Sequence, residues 1–449
     1  MMTSVDARGE PVSGASDTAI TLYEKALAQF QCYQGDPVAT IESAIADSPA
    51  FVMAHCLRAY LFALATEVEA MTEARSSFEA AEVLNTSARE RRHLAAIAEF
   101  LNGNWERAIT ALEDILIDSP RDALALQVVH LSDFYTGDAR SLRDHVARVL
   151  PEWSPDDPGY HALLGMYAFG LEECGDYGRA EEVGRRATEL NPQDAWAQHA
   201  VAHVMEMQGR QADGIDWMRG RERHWADDSF FAIHNWWHLA LYHLDLDQID
   251  EVLALYDGPI RKDRSQVMLD LLDASALLWR LHLRGADVGG RWKELADCWE
   301  PLAEDGFYAF NDAHAMMAFM ADGRDKAAEA ILTAQSKAMA GNASNAMMTN
   351  QIGHPVCNAL RAFGRDDYAT CVDLLRPLRS RLNRFGGSHA QRDIFDLTLL
   401  EAAKRDGQLA LVRELANERV ELKPSSPLNQ RYREDAARRL AEISGAAVV

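Results

Sequence analysis

The sequence predicts an all-α chain: a tetratricopeptide-repeat-like α-solenoid of about seven to eight helix pairs, strongly curved and forming one domain. Three observations carry this prediction. Apolar residues recur at i, i+3, i+4 and i+7 along nearly the whole length, strand signals are almost absent, and small residues return at the spacing of a repeat of about 34 residues.

Residues 1–17 show neither apolar periodicity nor a basic segment leading into an apolar core, so they read as a flexible N-terminal tail and not as a secretory signal. The array is expected over 18–449. QGDPVATIESAIADSPA looks like a second helix with a shortened turn. In GNWERAITALEDILIDSP, Ala108, Leu112, Ile115 and Pro120 fall at repeat positions of about 20, 24, 27 and 32. In GDYGRAEEVGRRATELNP, Ala180, Ala187 and Pro192 repeat that spacing. Counting back makes His161 the first residue of the repeat and puts Leu164, Tyr167, Ala168 and Leu171 on the packing positions of its first helix. HNWWHLALYH places Trp236, Leu239 and Ala240 in the same way, with Val252 as the small position of its partner helix, and Ala328 and Cys371 mark further repeats.

Small residues are needed where the two helices of a pair cross, and large ones fill the grooves between neighbours. One pair cannot bury its own apolar face, so the array is stable only when stacked. The stretch at about 258–310 fits the ruler poorly and is expected to be a divergent helix pair. The stretch at about 388–445 is amphipathic with a polar face, as suits capping helices.

A formal net charge of -24 argues against a nucleic-acid partner and against anionic membrane surfaces, since both demand a basic face. No apolar run reaches the roughly 18 residues of a membrane helix, so a soluble chain is expected. The six cysteines (Cys32, Cys56, Cys174, Cys298, Cys357 and Cys371) lack CxxC pairs and the density of a disulfide scaffold, which fits a reducing cytoplasm.

The chemistry concentrates at 161–243, the expected central polar groove, which holds His161, His199, His203, His224, His234, His238 and His243. The register puts His199, His203 and Glu206 along one face of a helix lining the concave surface. Glu172 holds the place of Glu206 one repeat earlier, and in the repeat after, His234 and His238 stand near the start of the first helix, one turn apart and aimed at the same volume. Taken singly, each histidine reads as a hydrogen-bonded groove residue; clustered, they require a shared reason, because buried polar groups are costly unless satisfied.

The two HxxxH pairs place imidazoles one turn apart, as a zinc site needs, so His199, His203, His234 and His238 are metal candidates, with Glu206 or Glu172 able to complete the set. Without metal, the same carboxylates and neutral histidines suit acid–base work. A third use is a plain binding groove. Trp237 is expected as an apolar wall, with His161 and Asn235 nearby. Gly-rich phosphate loops, GxSxG and CxxC are missing, which lowers nucleotide-dependent, α/β-hydrolase and redox alternatives.

RERRHLAAI at 89–97, DALALQVVHLSDFYTGD at 122–138, MYAFGLEECGDYGRAE at 166–181, DAWAQHAVAHVMEMQGR at 194–210, HNWWHLALYHLD at 234–245, NDAHAMMAF at 311–319 and GGSHAQRDIFDLTLLEAA at 386–403 together resemble the bacterial branch of the tetratricopeptide repeat protein 38 family. The resemblance covers most of the chain in the family's order. It implies a one-domain helical array and almost no biochemistry. It also directs attention to His93, His130, Asp133, Asn311, Asp312, His314, Gln391, Arg392 and Asp393. Of these, His93 points to the groove by register, and Arg392 is either an anion clamp or half of an end-of-array ion pair with Asp393.

The expected function is binding of a small molecule or short peptide in a His/Glu-lined pocket. Its ligand-binding residues are His199, His203, Glu206, Glu172, His234, His238, Trp237, His161, Asn235, His93 and Arg392. Were the pocket catalytic, Glu206 would serve as base and His203 or His238 as acid or metal ligand in a hydrolysis, with zinc as the candidate cofactor. A protein-interaction scaffold is the remaining alternative, and the oligomeric state is left open.

Overall fold

The computed structural model describes residues 4–446. Ser4–Val5 pairs with Pro11–Val12 in a two-stranded antiparallel ribbon, and the regular elements that follow are helices. The segment before the first helix corrects the expectation of a flexible tail. Arg8 clamps Glu24 through two hydrogen bonds of 2.9 Å, and Glu90 accepts from the Ser13 amide at 2.8 Å and the Ser13 hydroxyl at 2.6 Å. Polar side chains order this segment, and a search for apolar periodicity does not detect them. Residues 1–3 of the expected tail lie outside the described residues.

The helices follow one another as hairpins of tetratricopeptide type. Asp17–Cys32 packs on Pro37–Asp47, Val52–Ala63 on Ala70–Glu82, Ala88–Leu101 on Trp105–Asp118, and Tyr160–Glu173 on Tyr177–Leu190. The packing residues fall where the repeat ruler puts them: Ala108, Leu112, Ala168, Ala180, Ala187, Leu239, Ala240, Val252, Ala328 and Cys371 are all fully buried. Leu164, Ala187 and Ala197 form one small core, with Leu150, Tyr160 and Val183 packed around it.

Gly170 sits at a close approach between helices: a Cβ there would lie 2.6 Å from the backbone of Leu142 and Arg143. The described hairpins outnumber the seven or eight that the ruler marks. Val52–Ala63 with Ala70–Glu82, for example, folds the same way without the marker spacing.

The chain divides into two compact units. The first comprises Met1–Val201, Arg223–Ala232 and Asn342–Asn345; the second comprises Ala202–Glu222, Ile233–Gly341 and Ala346–Val449. The stretch at 258–310 supplies the second unit with Met268–Leu283 and Arg291–Trp299, and the C-terminal stretch supplies His389–Arg405, Leu409–Leu422 and Pro427–Ala446. Among the described residues, no helix is long and apolar enough to cross a membrane.

Candidate functional site

In the second unit, His203 near the end of Ala195–Met207 meets His234 and His238 from Ala232–Asp245. The four-residue spacing of His234 and His238 sets both on one face of their helix, one turn apart. His203 packs its ring 4.4 Å, centroid to centroid, from His238, and His238 lies edge-on to His234 at 4.9 Å. Each of the three offers a ring nitrogen within 4.8 Å of the other two.

Carboxylates orient two of these rings. Asp273, from the apolar helix Met268–Leu283, takes His234 Nδ1 at 2.9 and 3.0 Å, and Glu206 takes His238 Nδ1 at 3.0 Å. Burial pushes the His238 imidazole well below its usual value, reinforced by His203, His234, Arg280 and Lys423, so the ring is neutral. A neutral imidazole that donates Nδ1–H to a carboxylate keeps its lone pair on Nε2. Burial also pushes the Asp273 carboxyl upward, against the opposing pull of His234 and Arg280.

Beside this cluster is a cavity of about 50 Å³ whose polar lining includes Glu206, Asp245, Arg280, Asp393, Arg419 and Lys423. Arg419 grips Asp393 at 2.6 and 3.2 Å, and Lys423 faces Glu206 at 3.7 Å. The Arg419 pairing holds the Asp393 carboxyl well below the usual range in spite of its burial. Asp245 accepts from Ser426 at 2.6 Å, and burial raises its carboxyl.

Arg280 differs from the other two cations. Its guanidinium stacks over Trp237 at 5.3 Å and donates to the backbone carbonyls of Ala276 at 3.2 Å and Ala390 at 2.7 Å. It is only 4% exposed, and among the described residues no carboxylate lies within ion-pair distance of it, although the charges of Asp393, Glu206 and Asp273 oppose the effect of its burial. Burial lowers its pKa, as expected for a cation held in a poor solvent for charge.

Glu172 and His199 belong to the first unit, where His199 sits in an aromatic nest of Phe169, Trp196 and Phe231 with ring centroids 4.9–5.4 Å away. His161 is tied at Nδ1 to Asp194 at 2.8 Å and lies 3.3 Å from the Asn191 amide, which also reaches Cys32. His93 is locked between the Tyr60 hydroxyl at 3.1 Å and Asp122 at 2.9 Å. Burial would raise the Asp122 carboxyl, but His93 and Arg89 outweigh it and hold it well below the usual range. This is the signature of a structural ion pair.

Arg392 donates to the Gly387 carbonyl and meets His389; the residue of its stretch that reaches the cavity is Asp393, which pairs with Arg419 and not with Arg392. Asn235 is fully buried, and its side-chain amide has no hydrogen-bond partner among the described residues. Trp237 is fully buried, stacked on His234 at 5.3 Å.

Sequence reasoning missed Asp273, Arg280, Arg419 and Lys423. A signal for the first two was present: in LDLLDASALLWRLHLRG, Asp273 and Arg280 stand seven residues, two turns, apart on a largely apolar helix. Charges on such a face need partners or a function.

No family model matches this chain. Among solved structures, the chain is similar to the human IFIT1 dimer with PPP-AAAA, at 13% identity over 98% of this chain and 96% of that one, with a TM-score of 0.42. It is also similar to yeast Tom70, at 11% identity over 95% and 88%, with a TM-score of 0.35. Nothing about ligand or partner follows from likenesses of this size.

Proposed function

We propose that this chain is a binding protein of the tetratricopeptide repeat protein 38 family. Its second unit takes the anionic group of a small molecule at the cavity between Glu206, Arg280 and Lys423. The observation that carries this reading is Arg280. A buried cation costs several kcal/mol unless a counter-charge compensates it; among the described residues Arg280 alone of the three cations lining the cavity has no carboxylate within ion-pair distance, and Asp393, Glu206 and Asp273 act on it only from farther off. Guanidinium is also the side chain best shaped to hold a carboxylate or phosphate with two parallel hydrogen bonds. Trp237 beneath it and the two carbonyls fix its plane in advance.

A volume of about 50 Å³ suits one anionic group and not the backbone of a peptide, so a small molecule is favoured over a short peptide.

The test is calorimetric titration of the full chain with acetate, succinate and inorganic phosphate, comparing wild type with Arg280→Met and Lys423→Met. Loss of one charge-assisted contact, about 1.5–3 kcal/mol, weakens binding roughly 10- to 100-fold in Arg280→Met. Absence of binding by all three anions, or equal affinity in a folded Arg280→Met, refutes the reading. Should Arg280→Met fail to fold, Lys423→Met at the cavity rim carries the same comparison.

A further inference from the structure

We infer that His203, His234 and His238 form a tri-imidazole centre for a divalent transition-metal ion, with zinc the best fit. This goes beyond the anion reading and does not depend on it, since none of the three imidazoles lines the anion cavity.

Convergence is the first support. Zinc held by imidazoles at about 2.0–2.1 Å in tetrahedral geometry requires ligand nitrogens roughly 3.3 Å apart. The three rings already present nitrogens within 4.8 Å of one another, from two helices of one compact unit.

Orientation is the second. Metal-binding histidines characteristically donate their other ring N–H to a carboxylate, which fixes the tautomer and strengthens the donor nitrogen. Here that arrangement occurs twice, as His234 Nδ1 on Asp273 and His238 Nδ1 on Glu206. Both pairs direct the lone pair to Nε2.

Charge is the third. Asp273 is 1% exposed, and its hydrogen-bonding partner is the His234 ring, with no Lys or Arg in contact among the described residues. Glu206 accepts from His238 at 3.0 Å and has Lys423 at 3.7 Å. These two carboxylates sit on the outer nitrogens of neighbouring imidazoles, the arrangement that accompanies metal-bound histidines, while Arg280 and Lys423 act on His238 as cations without contacting it.

The donor set selects the metal class. Three imidazoles without a thiolate suit zinc, and more broadly copper, nickel or iron, and do not suit magnesium or calcium, which need oxygen. Three protein ligands leave one coordination position for water or an exogenous ligand.

The experiment uses the full chain purified without a histidine tag, stripped with chelator and titrated with Zn²⁺ alone and with Co²⁺ alone. Uptake is read by mass spectrometry and coordination by the visible spectrum of the cobalt form. The expected result is one tightly held ion, an intense visible band of tetrahedral cobalt without a thiolate charge-transfer band, and at least 100-fold weaker binding in His203→Ala/His238→Ala. Asp273→Asn, which keeps shape and removes the orienting charge, weakens binding 10- to 100-fold while the stoichiometry persists. It also covers the case in which the double variant fails to fold.

A Cys32→Ala/His161→Ala variant guards against uptake at the first unit's Cys32, His161 and Asp194 group. No uptake by wild type, uptake unchanged in a folded His203→Ala/His238→Ala or in Asp273→Asn, or uptake lost only in Cys32→Ala/His161→Ala would each overturn the assignment.

Discussion

Asp312 offers a test of how the interior treats a charge. It lies on Ala309–Ala321, fully enclosed, and accepts one hydrogen bond, from Gln335 Nε2 at 3.1 Å. Burial pushes its carboxyl up from 3.8 to about 7; the Gln335 bond pulls the other way, and Asp305 adds to the rise. The folded chain therefore binds a proton between about pH 4 and 7 that the unfolded chain has released. With more protons bound in the native state, stability falls as pH rises through that window. About three pKa units at 1.36 kcal/mol each give a penalty of about 4 kcal/mol, complete above pH 7.

Asp312→Asn keeps the shape and an acceptor for Gln335 but never ionises. Its stability relative to wild type should therefore start near zero at pH 4 and climb towards about 4 kcal/mol by pH 8. Because a chain of two units need not unfold in one step, the readout is amide hydrogen exchange in 309–321 at both pH values, supported by denaturant melts. A variant equally destabilised at pH 4.5 and pH 8 would refute the reasoning, since it would mean that the native carboxylate is ionised and held by a partner.

Two further predictions concern the fold. Gly170→Ala would drive a methyl to 2.6 Å from the backbone of Leu142 and Arg143, and should cost about 1–3 kcal/mol, visible as a lower thermal midpoint, whereas Gly178→Ala at a site open to space should cost nothing measurable. Glu90→Gln removes the charge that holds Ser13 and caps its own helix at Ser87, so residues 4–16 should become sensitive to protease while the helices stay intact. Unchanged cleavage there would show that the N-terminal ribbon is held by something else.

The class of fold and the faces of the helices are both legible in the sequence. Positions such as Ala180, Ala187 and Leu239 are legible because a helical period is a local property, readable from one segment at a time. For the same reason it could say that His203 and Glu206 share a helix face, as do His234 and His238, and each reaches the cluster of the second unit. Fourfold spacing likewise placed His199 beside His203 on the helix, and what it could not reveal is that the His199 ring packs among Phe169, Trp196 and Phe231.

Only the tertiary structure decided which distant helices complete the site. Asp273 and Arg280 come from the stretch that fits the repeat worst, and Arg419 and Lys423 from the end of the chain. Their roles depend on contacts across about 40 to more than 200 residues of sequence. Such contacts arise from how hairpins stack, and a side chain's periodicity carries no record of which helix, a hundred residues away, will bury it.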